Sequence, residues 1–117
     1  MLINLSNHPS ESWEGKQLEA ACRYGDIQDI PFPDIVPQLS HEEICLLADE
    51  YAAKIARLAR DCDVTVHVMG EMTFTYAVVS TLKDMGIRCV ASTTERIVKE
   101  SEGKRTYTFR FCQFREY

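Results

Sequence analysis

Val64-Thr65-Val66-His67-Val68-Met69, followed by Gly70-Glu71-Met72-Thr73, is the stretch whose reading decides the fold. Apart from His67 and Met69, the first six residues are β-branched or aliphatic, the composition of a strand buried on both faces rather than an alternating surface strand. Gly70 interrupts the run. From Thr73 the apolar spacing becomes helical, with Phe74, Ala77, Val78, Thr81, Leu82 and Met85 on one side. Gly86 stops that helix, and Ile87 to Ala91 is a second buried strand. Strand, glycine loop, helix and strand form one βαβ unit. Its right-handed crossover requires a parallel sheet with helices outside. In such sheets ligands sit beyond the carboxyl ends of the strands. The loop from Gly70 to Thr73 is therefore the first candidate site.

Outward from this unit, Met1 to Leu5 is apolar around Asn4 and reads as a first, central strand. Asn7-His8-Pro9-Ser10 is a loop, because Pro9 discourages helix at His8 and cannot donate a ladder bond. A helix over Ser12 to Tyr24 has Trp13, Gln17, Ala20, Ala21 and Tyr24 as its inward stripe, and Gly25 terminates it. Ile27 to Ile30 is a short strand. Pro31, Pro33 and Pro37 make the following residues a stiff loop. Ser40-His41-Glu42-Glu43 matches a capping box and opens a long helix to about Asp61. Its apolar face is Ile44, Leu47, Ala48, Tyr51, Ile55, Leu58, Ala59 and Cys62.

Downstream of Ala91, Ser92 to Arg96 follows the fourth strand, and Ile97 to Glu100 could extend this segment into a strand. Ser101-Glu102-Gly103-Lys104 is a hairpin turn, with Gly103 free to take positive φ. Thr106 to Phe114 then alternates. Tyr107, Phe109 and Phe111 share one side, while Arg110, Cys112 and Phe114 share the other. The expected architecture is a single three-layer α/β/α Rossmann-like domain over residues 1–117, mostly parallel, with a C-terminal antiparallel hairpin.

A chain of 117 residues suffices for one core. The net charge of -5 argues against a protein that coats long duplex nucleic acid. There is no basic region before an apolar run and no apolar stretch near the roughly 18 residues of a membrane helix, so a cytoplasmic protein without a membrane partner is expected. The five cysteines are odd in number and form no CxxC pair, which suits reduced core thiols.

Three constellations could carry chemistry. If the first and third strands are neighbours, Asn7 to Ser10 and Gly70 to Thr73 face each other across a crevice. Gly70 permits close backbone approach, and the start of the following helix offers amides to a phosphate. Asn7, Ser10 and Thr73 add neutral hydrogen bonds, and Glu71 could hold a ribose or adenine amino group. A plain turn and helix cap is the competing interpretation. No GxGxxG or GxxxxGK[ST] is present. The second constellation is Ser92, Thr93, Thr94, Glu95 and Arg96, whose hydroxyls and guanidinium suit phosphate or ribose; a capped turn with an ion pair is the alternative. The third is histidine. His8 stands beside the first strand end as a proton donor, His67 reads as a hydrogen-bonded core group and His41 as exposed. Their scatter makes no metal site. No Ser-His-Asp or Cys-His triad follows from the spacing, and no GxSxG occurs.

The strings His67-Val68-Met69-Gly70-Glu71-Met72-Thr73-Phe74-Thr75 and Ala91-Ser92-Thr93-Thr94-Glu95-Arg96 resemble compact stand-alone members of the CRISPR-associated Rossmann-fold (CARF) superfamily. The resemblance covers nearly the whole chain. It implies a homodimer that binds cyclic oligoadenylate, an antiviral second messenger, near the loops after the first and a later central strand. Those loops correspond to Asn7–Ser10 and Gly70–Thr73. Some members cleave the ring without metal or other cofactor. Here His8 would move the proton and Arg96 would stabilise charge, with Ser92, Thr93 and Thr94 among the ligand contacts. The alternative is a non-catalytic accessory subunit without nucleotide binding, whose terminal hairpin meets a protein partner.

Overall fold

A computed structural model describes all of residues 1–117. The elements are β1 (Leu2–Ser6), a 3-10 turn (Ser10–Ser12), α1 (Gly15–Cys22), β2 (Ile27–Asp29), α2 (His41–Leu58), β3 (Thr65–Met69), α3 (Met72–Asp84), β4 (Arg88–Ser101) and β5 (Lys104–Glu116). They make one five-stranded sheet of order β2-β1-β3-β4-β5. All neighbours are parallel except β4 and β5, which are antiparallel. The first and third strands are adjacent along their whole length, from Leu2 opposite Thr65 to Ser6 opposite Met69.

Alternation along β1 and β3 sends side chains to two different layers. Ile3, Leu5, Val66 and Val68 meet Ile44, Ala48, Ala52 and Ile55 of α2 and Phe74, Val78 and Leu82 of α3. Leu2 and Val90 point the other way, to Trp13 and to Ala21 of α1. The result is a three-layer α/β/α arrangement with a smaller core on the α1 side. The capping box of α2 is complete. Ser40 Oγ accepts from the Glu43 amide at 3.1 Å, and the Glu43 carboxylate accepts from the Ser40 amide at 3.3 Å.

The hairpin differs from expectation in length. β4 pairs with β3 only over Arg88–Val90, then continues to Ser101 with β5 as its sole partner. Ser92 to Arg96 are therefore ladder residues and not a turn after the strand. Their β-branched threonines favour the extended backbone, and β5 supplies the matching ladder. Because β4 runs parallel to β3, this two-stranded arm leaves the body at the carboxyl end of the sheet. Glu102 (φ 51) and Gly103 (φ 76) turn it, the paired positive φ of a tight hairpin. The Cα radius of gyration is 15.9 Å, against about 13 Å for a compact chain of this length; the arm accounts for the difference.

A register shift at Thr93/Thr94 also changes the alternation. Thr94 lies opposite Phe111 and Ser92 opposite Phe114, which leaves Cys112 as the extra residue. A bulge of this kind returns the side chains beyond it to the first face. Phe114 thus joins Phe111 on one side, ring centroids 5.0 Å apart, rather than lying opposite it. Two further expectations also shift. Trp13 is buried but precedes α1 in extended backbone (φ -73, ψ 141). Of the cysteines, all free, only Cys89 is a core residue; Cys22, Cys62 and Cys112 are exposed and Cys45 is half-buried.

Candidate functional site at the carboxyl end of the sheet

The order β2-β1-β3-β4 has its reversal between β1 and β3. The chain leaves β1 toward α1 on one face and leaves β3 toward α3 on the other. Where successive connections part in this way, a crevice opens outside the strand ends. Its walls are Asn7–Ser10 and Gly70–Thr73, brought together as their strands' adjacency requires. The Asn7 amide donates to the Met69 carbonyl across the crevice floor at 3.3 Å.

Below the first loop lies a continuous polar network on the α1 face. Asn4, Ser6 and His67 alternate onto this side among apolar neighbours and are all buried. The Asn4 amide nitrogen donates to the His8 carbonyl at 2.8 Å and to Asp29 Oδ1 at 2.9 Å. Its oxygen accepts from Ser6 Oγ at 2.7 Å and lies 2.9 Å from His67 Nδ1. His67 Nε2 is 2.8 Å from Ser92 Oγ, which accepts from Gln17 Nε2 at 3.2 Å. Asp29 in turn accepts from the Ser10 amide and hydroxyl, each at 3.1 Å to Oδ2. The β1–α1 loop is thus pinned at His8 and Ser10, while the His8 imidazole stays exposed. Trp13 packs edge-on to His67 with centroids 5.2 Å apart, and Phe114 stands 5.4 Å from it. This enclosure pushes the imidazole pKa down to about 4, chiefly by burial and secondarily through His8.

The second loop has a different character. Glu71 is the N-cap of α3, and its carboxylate accepts from the Thr73 amide at 3.0 Å, the Phe74 amide at 2.8 Å and the Thr73 hydroxyl at 2.7 Å. These bonds hold Glu71 below the ordinary carboxylate value, the Phe74 amide contributing most. The amides expected to be open to a phosphate are already filled by the chain's own carboxylate. Gly70 also has a reason internal to the fold. A Cβ there would fall onto the Phe32 ring, 2.7 Å from Cε1. Phe32 in turn packs edge-on to Phe74, centroids 5.2 Å apart.

Of the second expected cluster, only Ser92 joins the network. Thr93 Oγ1 bridges to β5, donating to the Gln113 carbonyl at 3.0 Å. Thr94 and Arg96 are carried out on the arm, where the Arg96 guanidinium stands 5.1 Å from the Tyr107 ring centre. Neither Asn7–Glu14 nor Gly70–Thr73 contains a lysine or arginine, and nor does the neighbouring stretch Ile30–Ser40. No three His, Cys, Asp or Glu side chains gather as metal ligands. No helix is long and apolar enough to cross a membrane.

The residues that sequence reading did not assemble are Asn4, Ser6, Gln17 and Asp29. The signal for two of them was present: Asn4 and Ser6 are polar positions two apart in an otherwise apolar strand, hence on one face. Asp29 and Gln17 join only through tertiary packing. His67 is the hydrogen-bonded core group that its place in the strand suggested.

No curated protein and no solved structure matches this chain. Residues 1–115 match the family described as "Uncharacterized protein MJ1673 family". With nearly its whole length covered, the chain belongs to the MJ1673 family.

Proposed function

We propose that this protein binds cyclic oligoadenylate at the carboxyl end of its sheet, in the crevice between the β1–α1 and β3–α3 loops. Topology supports this most directly: the reversal of strand order lies between β1 and β3, the place where doubly wound sheets take nucleotides. The CARF-like strings around Gly70 and Ser92 point to the same ligand class. The loop Asn7–Ser10 has the rigidity a ligand contact needs, since Asn4 and Asp29 hold its backbone from below.

Ring opening at this site would proceed by attack of a ribose 2′-hydroxyl on the adjacent phosphorus. The new O2′–P bond replaces the P–O5′ bond, the 2′-hydroxyl proton passes to solvent water, and a 2′,3′-cyclic phosphate and a 5′-hydroxyl are left. The exposed imidazole of His8, on its pinned backbone, is the group available to hand a proton to the departing oxygen. Arg96 would offset phosphate charge, although its own chain carries it outward on the arm. A second reading, a non-catalytic interaction protein, is favoured by the exposed aromatic side chains Tyr107 and Phe109 of that arm.

Calorimetric titration with cyclic tri-, tetra- and hexa-adenylate, followed by product analysis, tests the proposal. Saturable heat with one ring size is expected. Heat with product that His8→Ala slows by about 100-fold supports cleavage; heat without product leaves a sensor or sink. Folded protein at high concentration giving no heat with any ring rejects nucleotide binding in favour of the interaction protein.

A further inference from the structure

The arm presents two different faces, and one of them is unfinished. Arg96 lies opposite Phe109, Val98 opposite Tyr107 and Thr94 opposite Phe111, so all six side chains share a face. Near the body this face is covered, and Phe111 and Phe114 are half-buried. Farther out, Phe109 is 66% exposed, Tyr107 49% and Val98 45%. A two-stranded ribbon with no third strand or helix against it is marginal in water. Its aromatic row needs a cover that its own body does not provide.

Charge indicates what the cover is. Residues 94–111 hold five cations, Arg96, Lys99, Lys104, Arg105 and Arg110, against three carboxylates. The rest of the chain holds eight cations against fifteen carboxylates. The arm is therefore basic and the body strongly acidic. The body also exposes an apolar ridge of its own at the end from which the arm leaves. Met72 is 83% and Tyr76 77% exposed, one turn apart at the start of α3. They border a groove of about 460 Å³ between α2 and α3 that includes Asp49. Arm and ridge thus match in apolar character, and arm and body carry opposite charge, but they belong to one chain whose arm points away from its body. A second copy satisfies both at once through a two-fold, self-complementary contact.

We infer that the arm of each copy docks on the start of α3 of a second copy, with Val98, Tyr107 and Phe109 against the partner's Met72 and Tyr76. This contact carries Arg96 to the partner's β3–α3 loop. That loop and the Asn7–Glu14 loop hold no lysine or arginine, so the carboxyl-end site gains a cation from the other copy. The Arg96 part rests on the nucleotide proposal, whereas the docking part does not.

Sedimentation equilibrium on the intact chain tests the docking. Wild type should be a dimer at micromolar concentration. The arm variant Tyr107→Thr/Phe109→Thr keeps β propensity, and the body variant Met72→Ala/Tyr76→Ala keeps helix propensity. Both alter exposed side chains, so circular dichroism should remain unchanged. Each should raise the dimer dissociation constant by about tenfold or more, as loss of aromatic anchors does. An equimolar mixture should recover association, because the unaltered arm of the body variant meets the unaltered ridge of the arm variant. A wild-type monomer at 100-micromolar order, an arm variant that stays dimeric, or a body variant that stays dimeric overturns the docking. Failure of the mixture to recover also overturns it, since an intact arm and an intact ridge would then have met without associating. Arg96→Ala should leave the dimer intact and weaken cyclic tetra-adenylate binding about tenfold. Unchanged affinity removes Arg96 from the site. If wild type binds no ring, the nucleotide proposal and the role of Arg96 fall together, and the sedimentation results still decide the docking.

Discussion

His67 Nδ1 lies 2.9 Å from the Asn4 side-chain oxygen, and this pairing fixes the tautomer of a buried imidazole. The Asn4 amide nitrogen is committed to two acceptors, the His8 carbonyl and Asp29. Its oxygen is therefore the acceptor that faces His67, and Nδ1 carries the hydrogen. Nε2 is then a lone pair, which accepts from Ser92. A second proton on His67 would point at the Ser92 oxygen, itself already taking a hydrogen from Gln17. The network holds a neutral ring and resists a charged one.

Acid stability follows from that relationship. The His67 imidazole titrates near 4 when folded and near 6.5 in an exposed chain. Between those values the unfolded chain binds more proton, so stability falls as pH drops from 6.5 toward 4 and is fully present above that window. The difference amounts to about 3 kcal/mol. Urea midpoints should be flat from pH 7 to 8 and decline across the window. His67→Gln, which cannot titrate, should be less stable at pH 7 but should lose this slope. A His67→Gln variant with the wild-type slope would assign the acid sensitivity to another group.

The α3 cap responds in a different pH range. Folding lowers the Glu71 pKa from 4.5, so its stabilisation is present above that value and is lost as pH falls through the lowered one. Glu71→Ala should cost about 1 kcal/mol at pH 7, the usual worth of an N-cap. Glu71→Asp should recover most of it. Because the carboxylate fills the first amides of the helix, removing it also opens them to an anion. Thermal melts with and without inorganic phosphate check both points. Glu71→Ala should gain more from phosphate than wild type does, and equal gains would show that the amides are not the anion site.

Much of the architecture was legible because it rests on local chemistry. The β3–α3–β4 crossover follows from a change of apolar period at Thr73, the start of α2 from Ser40 and Glu43, and the turn from Glu102-Gly103. The site was less so. Ser92 to Arg96 looks like a polar strand end, and only pairing with β5 makes it a ladder. The bulge that turns Phe114 inward depends on cross-strand register, and register leaves no mark on one strand read alone. Glu71 looked free because a carboxylate two and three residues from the amides it binds is read as easily as a surface charge. Asn4 and His67 stand 63 residues apart. Nothing short of strand adjacency joins them.

Gly70 offers a case where two explanations of one residue can be separated. Sequence alone suggested that glycine lets a ligand approach the backbone. In the folded chain the space above its Cα belongs to Phe32, which packs on Phe74 and closes the end of the α2–α3 core. Gly70 does not take positive φ, so an added side chain meets no backbone penalty and the cost is steric alone. Gly70→Ala should force the Phe32 ring aside and destabilise the protein by about 1 to 3 kcal/mol, the range for overpacking. Phe32→Ala should itself be costly through the cavity it leaves. The double variant should then cost less than the two singles combined, because the methyl group added at position 70 no longer has a ring to strike. A coupling of about 1 kcal/mol or more from urea denaturation of the four proteins is the expected result. Additive costs would mean that Phe32 yields freely. Gly70 would then be kept for approach by something outside the chain.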